Sequence, residues 1–210
     1  MLIRHGQSVW NAAGRWQGQG GPGLTALGHR QAEITARFLA VHEPEVAAVV
    51  ASDLPRVTET VAPTAEALGL PVHTDERLRE IDVGWWSGLT STEVMQHAPD
   101  VMAAFRSGDD VPRGGAETDR QLRDRVTAAL VELMSSCDGS TMLVFSHGGP
   151  VRALVGATLG LSIAQQRSLA GPGNCSRTML VYESQRPRLR CYNETAHLRA
   201  PETGDARRYG

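Results

Sequence analysis

The chain has 210 residues and a formal net charge of −2, with 41% hydrophobic and 21% charged residues. That suits one large α/β domain whose core needs no disulfide or metal, and the near-neutral charge points away from nucleic acid and membrane surfaces as partners. All 21 basic residues are arginine, so lysine-dependent chemistry is excluded and an anion site must be built from Arg, His, backbone N–H groups and neutral donors.

In chain order, Met1 to Ile3 reads as the end of a first strand. Leu27, Ile34, Phe38 and Val41 share one helical face, with Thr25 as the cap. Val46 to Ala51, "VAAVVA", is a short apolar run of the buried-strand type. Val57, Val61, Ala65 and Leu68 form a second helical stripe. Thr90 and Glu93 have capping-box spacing for a short helix over Ser91 to His97. Arg106 to Glu117 is polar and rich in Gly and Pro, and reads as a loop. Leu122, Val126, Leu130 and Leu133 form a third stripe. Thr141 to Ser146, "TMLVFS", reads as a strand, and Pro150 suits a first helical position. Ser176 to Glu183 and Arg188 to Asn193 read as strands joined by a turn around Gln185 to Pro187.

Strands alternating with helices predict an α/β fold: a three-layer α/β/α sandwich around a central, mainly parallel sheet, with the last two strands as an antiparallel edge pair. Residues 1–198 are expected to form one domain and 199–210 a flexible tail. No run reaches the ~18 apolar residues needed to span a bilayer, and no signal peptide is evident. Cys137, Cys175 and Cys191 are too scattered for a disulfide framework or a zinc site. Together these predict a cytoplasmic protein; a homodimer through an edge strand stays open.

Two stretches resemble each other, "LIRHG" at 2–6 and "VFSHG" at 144–148. Each is an apolar strand end, then His-Gly, then a turn towards a helix. In a parallel sheet the strand C-termini share one edge, and ligands bind in the crevice there. A third strand, "VVASD", ends at the same edge and is followed by Arg56 in the first turn of a helix. Arg4, Arg56, His5 and His147 would then surround one small volume with positive charge and donors, which fits a phosphate dianion. Gly6 and Gly148 let the backbone approach an anion closely, and helix N-termini add N–H donors. One histidine, kept neutral, can attack phosphorus; the other can stay charged and stabilise the transferring group. The candidate proton donor lies in "RLREIDVGWWSG": Glu80, with Asp82 the weaker choice. Trp10, Trp16, Trp85 and Trp86 flank the expected mouth, where packing and substrate contact are both open. "GQGGPG" at 18–23 reads as a flexible loop, and His29, His42, His73 and His97 as surface groups.

The ordered segments "RHGQSVWN", "SDLPRVTET", "RLREIDVGWWSG", "PRGGAE" and "FSHGGP" resemble the histidine phosphatase superfamily, also called phosphoglycerate mutase-like, over roughly residues 2 to 195. The resemblance implies that His5 is the phosphorylated nucleophile, that Arg4, Arg56 and His147 form the phosphate pocket, and that Glu80 is the general acid and base. It extends the pocket to Asn11, Gln17 and Gly18, gives Gly148 a backbone N–H role, and implies no metal and no organic cofactor. Leu89 to Glu117 lacks the long basic insertion of the family's mutases, which favours a phosphatase. The ending "GPGNCSRTMLVYE … CYNETAHL" is more loosely similar to bacterial glucosyl-3-phosphoglycerate phosphatases. The implied activity is hydrolysis of a small phosphorylated metabolite, a sugar phosphate or phosphoglycerate ester, through a phosphohistidine. A cofactor-dependent phosphoglycerate mutase and a non-catalytic member that binds phospho-ligands remain the alternatives.

Overall fold

The computed structural model describes residues 1–43, 45–135, 139–183 and 186–199. Its elements run β1 (Leu2–Arg4), α1 (Val9–Ala12), α2 (Ala26–His42), β2 (Val46–Ala51), α3 (Pro55–Leu68), β3 (Val72–Thr74), α4 (Ser91–His97), α5 (Pro99–Ser107), α6 (Asp119–Ser135), β4 (Thr141–Ser146), α7 (Gly148–Thr158), α8 (Ile163–Gln166), β5 (Arg177–Glu183) and β6 (Arg186–Glu194), with 3₁₀ turns between some of them. Cys137, Gln185 and the expected tail from residue 200 lie outside the described residues.

The strands form one sheet in the order β3-β2-β4-β1-β5-β6. β1, β2, β3 and β4 are mutually parallel where they pair. β5 runs antiparallel to β1, and β6 antiparallel to β5. Successive residues of a strand point to opposite faces, and the core divides accordingly. Ile3, Val49, Leu143 and Phe145 pack on one side with Leu39 of α2 and Val57 and Val61 of α3. Leu2, Val50, Met142 and Val144 pack on the other with Leu122, Val126 and Leu130 of α6 and Val151 and Leu154 of α7. Apolar burial on both faces is what a parallel sheet requires.

The sequence cues for caps hold at atomic detail. The Thr25 side chain accepts from the Gly28 N–H, and Thr90 with Glu93 closes a full capping box on α4. Four expectations are corrected. Within α2 the buried face is Gly28, Ala32, Thr35, Ala36 and Leu39, while Leu27 and Val41 are 41% and 73% exposed. The cause is a close backbone approach: a methyl on Gly28 would fall 2.1 Å from the Gln7 carbonyl oxygen, and one on Gly6 would fall 2.6 Å from that of Gly28. The helix turns its smallest residues, not its largest, towards the loop after β1. Pro150 is the third residue of α7, not the first. Arg106 and Ser107 end α5, and Arg113–Gly115 is a 3₁₀ turn, so the segment from Arg106 to Glu117 is not all loop. Arg186 and Pro187 belong to β6 rather than to a turn; β6 is an edge strand, where a proline costs no ladder hydrogen bond on its open side.

Candidate active site

The site forms where β1, β2 and β4 end. The parallel register pairs Arg4 with Ser146, so the next residues, His5 and His147, lie side by side. Their ring centroids are 5.2 Å apart with planes at 64°. The His5 N–H donates to the Ser146 carbonyl at 3.0 Å, and the Ser52 N–H at the end of β2 donates to the Phe145 carbonyl at 2.9 Å. Thus strands far apart in sequence deliver His5, Ser52 and His147 to one place. Arg56, in the first turn of α3, is 1% exposed and also arrives there.

His5 has its Nδ1 2.7 Å from the Gly6 carbonyl oxygen. A carbonyl only accepts, so Nδ1 carries the proton and Nε2 keeps its lone pair. His147 places Nε2 2.9 Å from Ser52 Oγ, while its Nδ1 is buried without a partner among the described residues. Both imidazoles have pKa values well below the ordinary one. Burial is the main cause for each, followed by the guanidiniums of Arg4 and then Arg56 for His5, and by Arg56 and then His5 for His147. Burial first and then the neighbouring Arg56 thus favour a neutral His147 here, where the sequence reading had a charged one.

Arg56 donates from Nη1 to the Gly20 carbonyl at 2.9 Å and from Nη2 to the Gly18 carbonyl at 2.7 Å. The segment 18–23, expected to be a flexible loop, is thereby fastened to the site from below. Burial pulls the Arg56 guanidinium down to about 10, so it stays charged at neutral pH. Arg4 donates from Nη1 to the Pro172 carbonyl. The Nε atoms of Arg4 and Arg56 are buried without partners among the described residues, as is Nδ1 of His147. Three orphaned polar atoms around two imidazoles match an oxyanion in both charge and hydrogen-bond demand.

Above this floor opens a cavity of about 310 Å³, lined in part by Arg4, Asn11, Gln17, Gly18, Glu80 and Gly148. Glu80 Oε1 accepts from the N–H groups of Ile81 at 2.9 Å and Gly149 at 3.1 Å, and Oε2 from Gly149 at 3.2 Å. The carboxyl is thus aimed at the first turn of α7, next to His147. Asp82 faces a different cavity with Glu117 and Arg125. Gln17 uses Oε1 to accept from Ser8 Oγ at 2.7 Å, which turns its NH₂ group into the available donor. Asn11 Oδ1 accepts from Asn174 Nδ2 at 3.0 Å, and Gly148 lies against the Arg4 guanidinium, 3.6 Å from Nε to a methyl built on it. Of the tryptophans, Trp16 lines the cavity, Trp86 is core, Trp10 packs under Gly21 and Trp85 is 47% exposed. Burial pushes the Cys175 thiol up to about 12, so it does not compete as a nucleophile.

Sequence reading missed Ser52, Asn174, Arg113 and Arg152. Ser52 stood inside the quoted "SDLPR", and Asn174 inside "GPGNC"; Arg113 and Arg152 line the cavity from a 3₁₀ turn and from α7.

The two neutral imidazoles set a pH dependence of stability. Each folded-state pKa lies below the ordinary value of about 6.5, so on acidification the unfolded chain takes up protons first. Their contribution is complete above that value and is lost below it, at up to about 1.4 kcal/mol per pH unit for each histidine until the folded pKa is reached. Melting temperature should therefore fall between about pH 7 and pH 5, and saturating inorganic phosphate should flatten the fall by favouring the protonated rings. A melting temperature that phosphate leaves equally pH-dependent would contradict this placement of charge.

Comparison with known proteins agrees with the geometry. The family model for the histidine phosphatase superfamily (branch 1) matches residues 1–195. The chain is 34% identical over 215 residues to a glucosyl-3-phosphoglycerate phosphatase of Mycobacterium tuberculosis, covering 94% of this chain and 95% of that one. It is 34% identical over 202 residues to phosphoserine phosphatase 1 of Hydrogenobacter thermophilus, covering 94% and 93%. Among solved structures, a mycobacterial glucosyl-3-phosphoglycerate phosphatase in complex with VO3 superposes with a TM-score of 0.84 at 32% identity, covering 92% of this chain and 98% of that one. Phosphoserine phosphatase of Entamoeba histolytica, in complex with 3-phosphoglyceric acid, gives a TM-score of 0.84 at 26% identity, covering 94% and 97%. Paired His-Gly strand ends, the arginines around them and a family match from end to end of the described fold place the chain in the histidine phosphatase superfamily.

Proposed function

We propose that His5 is the nucleophile of a two-step hydrolysis in which Glu80 moves the proton and Arg4, Arg56 and His147 hold the phosphoryl group. The chain is a phosphoric monoester hydrolase acting on a small phosphorylated metabolite. One observation carries the assignment of roles: the Gly6 carbonyl fixes the proton of His5 on Nδ1, leaving Nε2 as an unprotonated nucleophile in a pocket of uncommitted guanidinium N–H groups.

In the first step Nε2 of His5 forms a bond to phosphorus while the bond from phosphorus to the ester oxygen breaks. Glu80 gives its proton to that oxygen, and the alcohol leaves. In the second step the Glu80 carboxylate takes a proton from water, whose oxygen bonds to phosphorus as the N–P bond breaks. Charge building on the equatorial oxygens is met by Arg4 and Arg56. A phosphate dianion beside His147 reverses the sign of its surroundings and favours its protonated form, which then donates from Nδ1. The ester is a sugar phosphate or an ester of phosphoglycerate type, and the setting a reducing cytoplasm, where the free thiols of Cys175 and Cys191 persist.

Mass balance tests hydrolysis against phosphoryl return. Incubated with 3-phosphoglycerate, O-phosphoserine and sugar phosphates, the protein should release one inorganic phosphate for every ester consumed. Isomerisation of 3-phosphoglycerate with little phosphate released would instead assign it as a mutase.

A further inference from the structure

Glu80 sits in a stretch with no regular structure of its own. Residues 79–83 belong to neither a helix nor a strand, so the place of the carboxyl depends on what grips the backbone around it. Most of that grip comes from one side chain. Arg125, within α6, donates from Nη1 to the Arg77 carbonyl at 2.7 Å and to the Arg79 carbonyl at 3.0 Å. Its Nη2 donates to the Glu80 carbonyl at 3.4 Å, which Gln19 Nε2 also reaches at 3.4 Å. The Leu78 carbonyl between them accepts from Ser146 Oγ at 2.7 Å. Each carbonyl from Arg77 to Glu80 thus has a side-chain donor, and Arg125 serves all but that of Leu78.

Arg125 is itself held in place. Its Nε and Nη2 donate to Oε1 and Oε2 of Glu117 at 2.9 and 2.8 Å, a two-pronged pairing that a guanidinium makes and an ammonium does not. Glu117 carries the grip past Glu80. Its Oε2 accepts from the Asp82 N–H at 2.9 Å, and its own N–H donates to the Asp82 carbonyl at 3.2 Å. The Arg125 and Glu117 side chains are only 22% and 14% exposed, so water and salt screen the pair less than a surface one. They border the cavity of Asp82 rather than the one that Glu80 lines.

We propose that Arg125, clamped by Glu117, is the positioning residue of the general acid: it fixes the backbone on either side of Glu80 so that the carboxyl meets the leaving oxygen. The proposal rests on the reading of Glu80 as the proton donor. Without Arg125 the segment keeps two tethers, Ser146 Oγ on Leu78 and the pair of Arg79 with Asp53 just after β2. The surrounding fold should therefore survive while the carboxyl loses its aim. A displacement of about 1 Å is enough to cost on the order of 10²-fold in rate.

The test compares two aryl esters of nearly the same shape. Phenol resembles the tyrosine side chain, with a pKa of about 10, so it needs a proton as it leaves; p-nitrophenolate, stabilised by its nitro group, leaves with little help. The measured quantity is kcat/KM for p-nitrophenyl phosphate divided by kcat/KM for phenyl phosphate. Glu80→Gln should raise this ratio by about 10²-fold, the scale of general acid catalysis. Arg125→Gln should raise it by about tenfold, through a displaced rather than a missing acid. Glu117→Gln, which breaks the fork and leaves Arg125 in the chain, should raise it in the same sense. Arg125→Lys should fall between Arg125→Gln and the wild type, since an ammonium still reaches one carbonyl. Both esters meet the same preparation, so any loss of folded protein cancels from the ratio. The weak opposition of Arg125 to a protonated His147 acts on the phosphoryl group common to both esters and cancels as well. An unchanged ratio in Arg125→Gln, or in Glu117→Gln should Arg125→Gln yield no soluble protein, overturns the clamp while Glu80→Gln still raises the ratio. A ratio that Glu80→Gln also leaves unchanged removes Glu80 as the acid, and the clamp falls with it.

Discussion

Replacing His5 by alanine is expected to lower kcat/KM for p-nitrophenyl phosphate by at least about 10⁴-fold, the scale on which removal of a covalent nucleophile is felt. No neighbour can take over. His147 is buried, with its Nε2 engaged by Ser52, and the Cys175 thiol is held protonated by burial. Water attacking directly would still find Arg4, Arg56 and Glu80 in place, so a residual rate above the uncatalysed one should survive. Quenching the wild type during turnover with denaturant at alkaline pH should trap a phosphate on the protein that survives base and is lost in acid, and the variant should trap none. Activity of the variant within about tenfold of wild type would remove His5 from the chemistry. A thermal melt separates that outcome from misfolding, since the substitution removes a ring that packs edge-on against His147.

Arg56→Leu should be the second most damaging change, through two separable effects. The phosphoryl group loses a guanidinium, for which a fall of about 10²–10³ in kcat is expected by analogy with loss of a preorganised donor. The carbonyls of Gly18 and Gly20 lose their donors, each at a cost of roughly 1–3 kcal/mol if they stay buried. Gly18 itself cannot be moved or substituted freely, since it has φ of +52° and a methyl built on it would fall 2.6 Å from Val83 Cγ2. The melting temperature should therefore drop together with activity, and proteolysis should cut within 18–23. Arg56→Lys should recover little of either, because one ammonium cannot span two carbonyls and a phosphate in the fork's geometry. Wild-type activity in Arg56→Leu would show that Arg4 alone holds the anion.

The parts of the site legible in the sequence were those written within a few residues. "RHG" and "SHG" each put an imidazole at a strand end, and the parallel register then brings them together without further information. Glu80 was legible as the acidic residue before a glycine-terminated loop. What stayed hidden depends on contacts between distant segments. The inner face of α2 was misread because hydrophobicity marks the largest side chains, whereas Gly28 and Ala32 face inward to let the helix touch the backbone at Gln7. β3 is only three residues long, and two of them are exposed, so no apolar run announced it. The charge state of His147 depends on its burial and on Arg56 standing beside it, and Arg113 and Arg152 reach one cavity only when α7 is set against the 3₁₀ turn at Arg113. Such residues look like ordinary surface arginines until the fold assembles them.

The position of β1 inside the sheet has a consequence for the order in which the molecule is made. β1 lies between β4 and β5, both of which leave the ribosome long after it does. The backbone of Arg4 and His5 must wait for Ser146, Cys175 and Asn174 before its carbonyls and amides find partners. The first residues of the candidate site to be synthesised are thus among the last to be enclosed, and the nascent chain completes that site only as translation nears its end.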